Sequence, residues 1–227
     1  MEIASLSLLD GAARARGTAV IIDVFRAATT ACYVFGAGAE RIIVAKSLKH
    51  AFELKKNDPS YILIGERHGL FVKGFDFGNS PSGIDGQDFS GKTVVFKTSS
   101  GTHGILKARN AHEILFTGFV NAGATVKYIR NNNNNSLVSL VPMGWEGKTP
   151  TEEDELCADY LRCLLENKLG NYENLLEYLR NTESAKRFFN GNPDFPQQDF
   201  FYSTSLDRFD YALKVLKEGD NLIITKA

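Results

Sequence analysis

The residues of this chain best equipped for chemistry come as acids set close to bases. Asp23-Val24-Phe25-Arg26 spaces a carboxylate and a guanidinium by three positions, and Gly65-Glu66-Arg67-His68-Gly69 sets them side by side. A carboxylate can hold a hard divalent ion through its oxygens. Arginine's planar fork fits phosphate or carboxylate. Thr98-Ser99-Ser100-Gly101-Thr102 supplies hydroxyls, and, where a helix begins, free amides for an anion. Phe77-Gly78-Asn79-Ser80-Pro81 adds Asn79 and Ser80, both able to bond a polar ligand, and Val120-Asn121-Ala122 adds a further amide. In Gly144-Trp145-Glu146-Gly147 the lone tryptophan suits a pocket wall, and Glu146 can reach into that pocket. Glu152-Glu153-Asp154-Glu155 holds more acid than a helix start needs. Asp154 and Glu155 are the pair expected near a cation, Glu152 and Glu153 a solvated face.

Each feature has a plain structural alternative. Asp23 can start a helix and pair with an exposed Arg26, and His68 can bond within its loop. The Thr98–Thr102 stretch can be an ordinary capped helix, Asn79-Ser80 a tight turn, and Asn121 an N-cap. His50, His103 and His112 lack metal-ligand spacing.

Positioning these groups requires a scaffold of strands. Apolar runs at Ala19–Val24, Arg41–Val44, Tyr61–Ile64, Thr93–Phe96, Glu113–Phe116 and Leu137–Val141 are continuous and β-branched, as strands covered on both faces are. Asn221–Thr225 is a further strand candidate. Helices are expected over Ala27–Phe35, from Ser47 as a cap, over Thr102–Ala108, Val120–Ile129, Glu152–Asn167 and Leu206–Leu216. Thr151 with Asp154 has the spacing of a capping box. Phe188–Phe201 reads as an irregular surface segment and Asn131–Asn135 as a solvated turn. The expected architecture is an α/β three-layer sandwich, a mainly parallel or mixed sheet flanked by helices. A single domain over 1–227 is expected, mainly helical from about 151. In such a sheet the carboxyl ends of parallel strands surround the ligand crevice. That placement would bring Asp23 and Glu66 to one rim.

The chain has 227 residues with 26 basic and 27 acidic side chains, a net charge of -1 that argues against a nucleic-acid partner. No apolar run is long enough to span a membrane. Met1-Glu2-Ile3-Ala4-Ser5 does not start a secretory signal, and three scattered cysteines read as reduced thiols, so a cytoplasmic protein is expected. A homo-oligomer is compatible with the sequence. There is no Walker A loop and no Gly-x-Gly-x-x-Gly after the first strand, which disfavours nucleotide chemistry. Position 38, six after Cys32, is Gly rather than Arg, and position 25 is Phe rather than a second Asp. Two covalent phosphatase signatures are therefore missing.

Taken in order, these segments resemble the magnesium-dependent 2-phosphosulfolactate phosphatases. The resemblance rests on Asp23-Val24-Phe25-Arg26-Ala27, Gly65-Glu66-Arg67, Gly74-Phe75-Asp76-Phe77-Gly78-Asn79-Ser80-Pro81, Thr98 to Thr102, Asn121-Ala122, Gly144-Trp145-Glu146-Gly147 and Glu153-Asp154-Glu155-Leu156-Cys157-Ala158. It spans about Val20 to Leu165 and departs at His68-Gly69, where the family often has Asn-Gly. It departs again at Thr98-Ser99-Ser100-Gly101-Thr102, often Thr-Thr-Asn-Gly-Thr. The resemblance implies a single α/β domain that hydrolyses (R)-2-phospho-3-sulfolactate to 3-sulfolactate and phosphate, a step of coenzyme M biosynthesis, with Mg2+ as cofactor. Its partner is then a small phosphorylated, sulfonated carboxylic acid.

On this expectation Asp23, Glu66 and Glu146, then Asp154 and Glu155, would hold the metal and the attacking water. Arg26 and Arg67 would clamp anions. Thr98, Ser99, Ser100, Gly101 and Thr102, with Asn79, Ser80, Asn121 and Trp145, would bind substrate. Direct attack by water and phosphorylation of Asp23 both fit. Alternatives are a lyase or isomerase of small phosphorylated or sulfonated acids, and a non-catalytic anion-binding protein.

Overall fold

A computed structural model describes residues 1–132 and 137–227. The chain opens with strand β1 (Glu2–Ser5) and helix α1 (Leu8–Arg14), neither of which the apolar runs predict. Strand and helix then alternate: β2 (Thr18–Ile22), α2 (Ala27–Gly36), β3 (Arg41–Val44), α3 (Leu48–Asn57) and β4 (Ile62–Arg67). Ser47 does cap α3, its Oγ accepting from the His50 amide at 3.0 Å. A short β5 (Leu70–Phe71) and α4 (Pro81–Ile84) lead to β6 (Thr93–Lys97), α5 (Gly101–Lys107) and β7 (Glu113–Thr117). A 3-10 turn precedes α6 (Ala122–Asn132) and β8 (Leu137–Pro142). Asn131 and Asn132 therefore end a helix, and the rest of the expected solvated turn lies outside the described residues. Helices α7 (Glu152–Leu165), α8 (Tyr172–Arg180), α9 (Glu183–Lys186) and α10 (Gln197–Ser203) follow, then β9 (Leu213–Glu218) and β10 (Asn221–Lys226).

All ten strands form one sheet in the order β1-β8-β2-β7-β9-β10-β3-β6-β4-β5. The fold is the expected three-layer α/β sandwich, with a mixed sheet. Two parallel blocks, β1-β8-β2-β7 and β3-β6-β4, are joined through the antiparallel hairpin β9–β10. The three antiparallel pairings between the blocks make them run in opposite senses. A rim shared by parallel neighbours therefore does not unite Asp23 with Glu66. The two blocks nevertheless share one core around α2 and α5, which lets their tips meet. They do meet, since the Gly101 amide after β6 donates to Asp23 Oδ2 after β2 at 2.7 Å.

Along β2 the alternate residues feed two cores, Ala19 and Ile21 one, Val20 and Ile22 the other, all fully buried. The first core packs α2 and α5 against both blocks, and the second packs α6 and α7 against the β2 block. Burying each large apolar side chain contributes about 1.5–3 kcal/mol, so these layers hold the strand tips still.

Two expectations fail. The segment Leu206–Leu216 is not a helix: Leu213 and Val215 point inward with Lys214 between them, a period of two that makes β9, and Gly219 (φ 56°) turns it into β10. Phe188–Phe201 is not a surface segment, because Phe188 and Phe200 are 1% exposed and Phe195 9%. Among the described residues no helix is long and apolar enough to cross a membrane. Cys32 and Cys157 are buried and Cys163 half-buried, all as free thiols.

Candidate active site

Where β2 ends, Asp23 is buried and locked by two amides. Oδ1 accepts from Ala27 N at 2.9 Å and Oδ2 from Gly101 N at 2.7 Å. A Cβ on residue 101 would stand 2.7 Å from Oδ2 and 2.8 Å from the Phe116 ring, so only glycine lets the carboxylate dock there. Burial, with the Glu66 charge adding to it, pushes the Asp23 carboxyl up to about 6 against the pull of the Ala27 amide.

Glu66, at the tip of β4, is buried and bonded more fully. Its Oε1 accepts from Ser99 N, and Oε2 accepts from Ser99 Oγ at 3.0 Å and Gly69 N at 2.6 Å. Two amides of the stretch expected to cradle an anion, those of Ser99 and Gly101, are thus already donating to protein carboxylates. Ser100 Oγ donates to the Gly144 carbonyl at 2.7 Å, tying the α5 start to the loop after β8. Glu146 closes the ring on that loop, its Oε1 2.5 Å from His68 Nδ1 and its Oε2 3.3 Å from Lys148 Nζ. His68 and Glu146 both hold left-handed backbone, φ 56° and 54°, each costing roughly 1–2 kcal/mol. Their mutual contact and the bond from His68 N to Ser99 Oγ at 2.8 Å hold them there.

Asp23, Glu66 and Glu146 line one narrow cavity of about 30 Å³ with Arg26, Asn79, Ser99 and Ser100. Trp145, Phe25 and Phe195 supply its apolar walls. Asn79 is buried and its Oδ1 has no hydrogen-bond partner, a polar atom left over for whatever fills the cavity. Arg26 is 4% exposed, follows a cis Phe25–Arg26 peptide, and donates from Nη1 to Asp199 Oδ2 at 2.6 Å. Its guanidinium lies over the Phe195 ring, 4.6 Å from the centroid. Asp199, fully buried, also accepts from Ser80 Oγ at 2.9 Å and Ser82 Oγ at 2.6 Å. One edge of Arg26 is therefore fixed by protein, and it contributes the cavity's one cation among the described residues.

Several expected site residues lie elsewhere. Asp154 sits behind Asp23 rather than in the cavity, accepting from Val24 N at 2.7 Å and Gly144 N at 2.8 Å. It is no capping-box acid either. Burial first, then the charges of Glu153 and Asp23, hold its carboxyl well above the usual range. Asp154 thus pins the β2 tip to the β8 loop. Glu155 turns away and accepts from Ser7 Oγ at 3.2 Å. Glu153, expected in solvent, is 2% exposed and faces Arg187 at 3.6 Å, because α9 brings that arginine over the start of α7. Asn121 is buried below β7, accepting from Thr117 Oγ1 at 2.9 Å and Gly118 N at 3.2 Å, a turn-forming role. Thr98 and Thr102 bond to each other's backbone and do not reach the cavity. Ser80 contacts Asp199 instead, and Arg67 is exposed on a neighbouring cleft with Lys97.

Asp199, Phe195 and Arg187 are the residues the sequence did not single out. Their only signal was an acid and an arginine within an aromatic-rich stretch, a composition that buried walls share with ordinary cores.

Among the described residues no group of three or more His, Cys, Asp or Glu is arranged to hold a metal ion. The set Asp23, Glu66, Glu146, Asp154 and Glu155 is accordingly not a preformed cage. Mg2+ does not need one, since it commonly takes one or two carboxylates and completes its shell with water and substrate phosphate. Asp23 keeps a spare lone pair on each oxygen and Glu66 one on Oε1. Three carboxylates against one guanidinium leave the cavity a formal -2. That donor set fits a magnesium ion shared with a phosphate.

The α/β sheet thus carries, at its strand tips, a narrow cavity of acids with one buried arginine. Residues 5–218 match the family model described as 2-phosphosulpholactate phosphatase. The chain is 32% identical over 204 residues to a protein of Bacillus subtilis (strain 168) named "Probable 2-phosphosulfolactate phosphatase", covering 88% of each. It is 33% identical over 220 residues to one of the same name from Synechococcus sp. (strain JA-2-3B'a(2-13)), covering 88% of this chain and 89% of that one. A Thermoplasma acidophilum protein, also so named, is 36% identical over 169 residues, 74% of this chain and 73% of its own. The chain belongs to the 2-phosphosulpholactate phosphatase family and is an enzyme of that phosphatase family.

Proposed function

We propose that this enzyme hydrolyses the phosphate monoester of a small, multiply charged hydroxy acid with Mg2+, 2-phospho-3-sulfolactate being the first substrate to try. The carrying observation is that Asp23, Glu66, Glu146 and Arg26 face one narrow cavity from three separate strand tips. Asp23 and Glu66 would hold Mg2+, which when bound neutralises phosphoryl oxygens and acidifies water. Arg26, anchored by Asp199, presents its remaining N–H groups to the phosphoryl oxygens. Asn79 receives a donor from the substrate or its water at Oδ1. Glu146, oriented by His68 and Lys148, takes the proton of the attacking water at Oε1 or Oε2 and can pass it to His68 at the cavity mouth. The water oxygen bonds to phosphorus as the P–O bond to the substrate's alcohol oxygen breaks, that oxygen regains the proton from Glu146 through water, and the alcohol and inorganic phosphate leave. Trp145, Phe25 and Phe195 keep bulk water out, which strengthens these interactions.

Phosphate release from 2-phospho-3-sulfolactate, with Mg2+ and with excess chelator, tests the reading. Release that depends on Mg2+ is expected. No release from any small phospho-acid, or equal release under chelator, would refute it. Substrate loss without phosphate would mark a lyase or isomerase.

A further inference from the structure

Beside the inner cavity, and sharing Glu66, Ser99 and Glu146 with it, lies a cleft of about 570 Å³. Its walls carry Lys46, Lys49, Arg67, Lys97 and Lys148 against two carboxylates, Glu66 and Glu146, a formal +3 on a chain whose net charge is -1. Lys49 faces Glu53 at 3.7 Å and Lys148 faces Glu146 at 3.3 Å. Among the described residues, Lys46, Arg67 and Lys97 have no carboxylate within salt-bridge distance. Lys97 is 7% exposed, and its ammonium contacts the Thr98 carbonyl and His103 Nε2 rather than an acid. The start of α3, a ten-residue helix, also lines the cleft through Ser47, Leu48 and Lys49, so its positive end adds to the cations. Unpaired cations gathered at the mouth of a site are not explained by folding, since each repels the others.

We infer that this outer cleft binds a second phosphoryl group of the substrate, so that the enzyme prefers organic bisphosphates to monophosphates of the same skeleton. The inference rests on the phosphomonoesterase reading of the inner cavity. The inner cavity is narrow and shares Glu66, Ser99 and Glu146 with the cleft, so the part of a substrate that lies beyond the reacting group has the cleft to extend into. A carboxylate and a sulfonate, each a single charge, would together be satisfied by two of these cations. Three unpaired cations and a helix start match a dianion that accepts hydrogen bonds on several oxygens.

The test compares n-alkyl phosphates with α,ω-alkanediol bisphosphates having spacers of two, four and six carbons, and the corresponding non-hydrolysable phosphonates. At low ionic strength the bisphosphate of at least one spacer length should show a KM roughly tenfold or more below its monophosphate. The double variant Lys46→Ala/Lys49→Ala should reduce that preference to about twofold and leave monophosphate turnover unchanged. Calorimetric binding of the bisphosphonates to wild type and variant should follow the same order. If no ester releases phosphate yet the bisphosphonate preference and its loss in the variant persist, the hydrolase reading fails and the cleft stands. Equal affinity for mono- and bisphosphonates at every spacer length, or a preference untouched by the variant, would overturn the cleft.

Discussion

Three carboxylates and one guanidinium face the inner cavity, whereas five cations and two carboxylates face the outer cleft. The two share a wall and differ in sign and in finish. In the inner cavity nearly every charge is held: Asp23 by two amides, Glu66 by Ser99 and Gly69, Arg26 by Asp199. In the outer cleft Lys46 and Arg67 are exposed and free of carboxylate partners among the described residues. Fixed groups suit the step where geometry sets the rate, because electrostatic help counts most when it needs no reorganisation. Loose cations suit recognition and capture, where long-range attraction is enough.

The difference can be broken from the inner side first. Asp23→Asn keeps size but loses a charge, and should lower kcat by roughly 10³-fold, read as phosphate release under saturating substrate. Near-native turnover would remove Asp23 from the machinery. Gly101→Ala pushes a methyl group to within 2.7 Å of Asp23 Oδ2 and 2.8 Å of the Phe116 ring. Displacing the carboxylate should cut kcat roughly 10²-fold, and the overpacking should cost about 1–3 kcal/mol in urea unfolding. Unchanged values would mean that the Asp23–Gly101 contact positions nothing.

Asp199→Asn acts one step further out. It leaves Arg26 buried without its counter-ion, so unfolding free energy should drop by about 3–5 kcal/mol. KM should rise several-fold while kcat falls less, because the arginine remains but loses its anchor. A KM equal to wild type would show that Asp199 serves stability alone.

The smallest effect belongs to the outer cleft. Burial pulls the Lys97 ammonium down to about 8, with Glu66 opposing and Arg67 reinforcing that shift. Burial likewise lowers the neighbouring His103 below its ordinary value, so the imidazole stays neutral from pH 7 to 9. Raising pH through 8 therefore removes the Lys97 charge and should weaken bisphosphonate binding a few-fold relative to monophosphonate. Constant preference across that range would take Lys97 out of recognition.

The inner cavity was more legible in the sequence than its surroundings, for a physical reason. Acids and bases at the ends of apolar runs mark strand tips, and Asp23, Arg26, Glu66, Asn79, Ser99, Ser100, Trp145 and Glu146 do line one cavity. The reason they converge was not legible. Adjacent parallel strands were expected to share a rim, but the hairpin β9–β10 reverses one block, and the tips meet around a core that both blocks share. That hairpin was hidden because Leu213, Val215 and Leu216 also fit a helical stripe, and only Gly219-Asp220 marked the turn. Local spacing could not separate Asp154 and Glu155, neighbours on one helix whose side chains diverge, one to the Val24 and Gly144 amides and one to Ser7. Asp199 stayed hidden because its partner Arg26 lies 173 positions away in the chain.

Tungstate, a heavy stand-in for phosphate, tests the division of labour most directly when soaked with Mg2+ into crystals of the intact enzyme. The account predicts tungsten density inside the inner cavity beside Arg26 and Asn79, with Mg2+ between it and Asp23. A second, weaker tungsten peak should lie among Lys46, Arg67 and Lys97. Tungsten confined to the lysine-lined cleft, with the acids binding neither metal nor oxyanion, would contradict it.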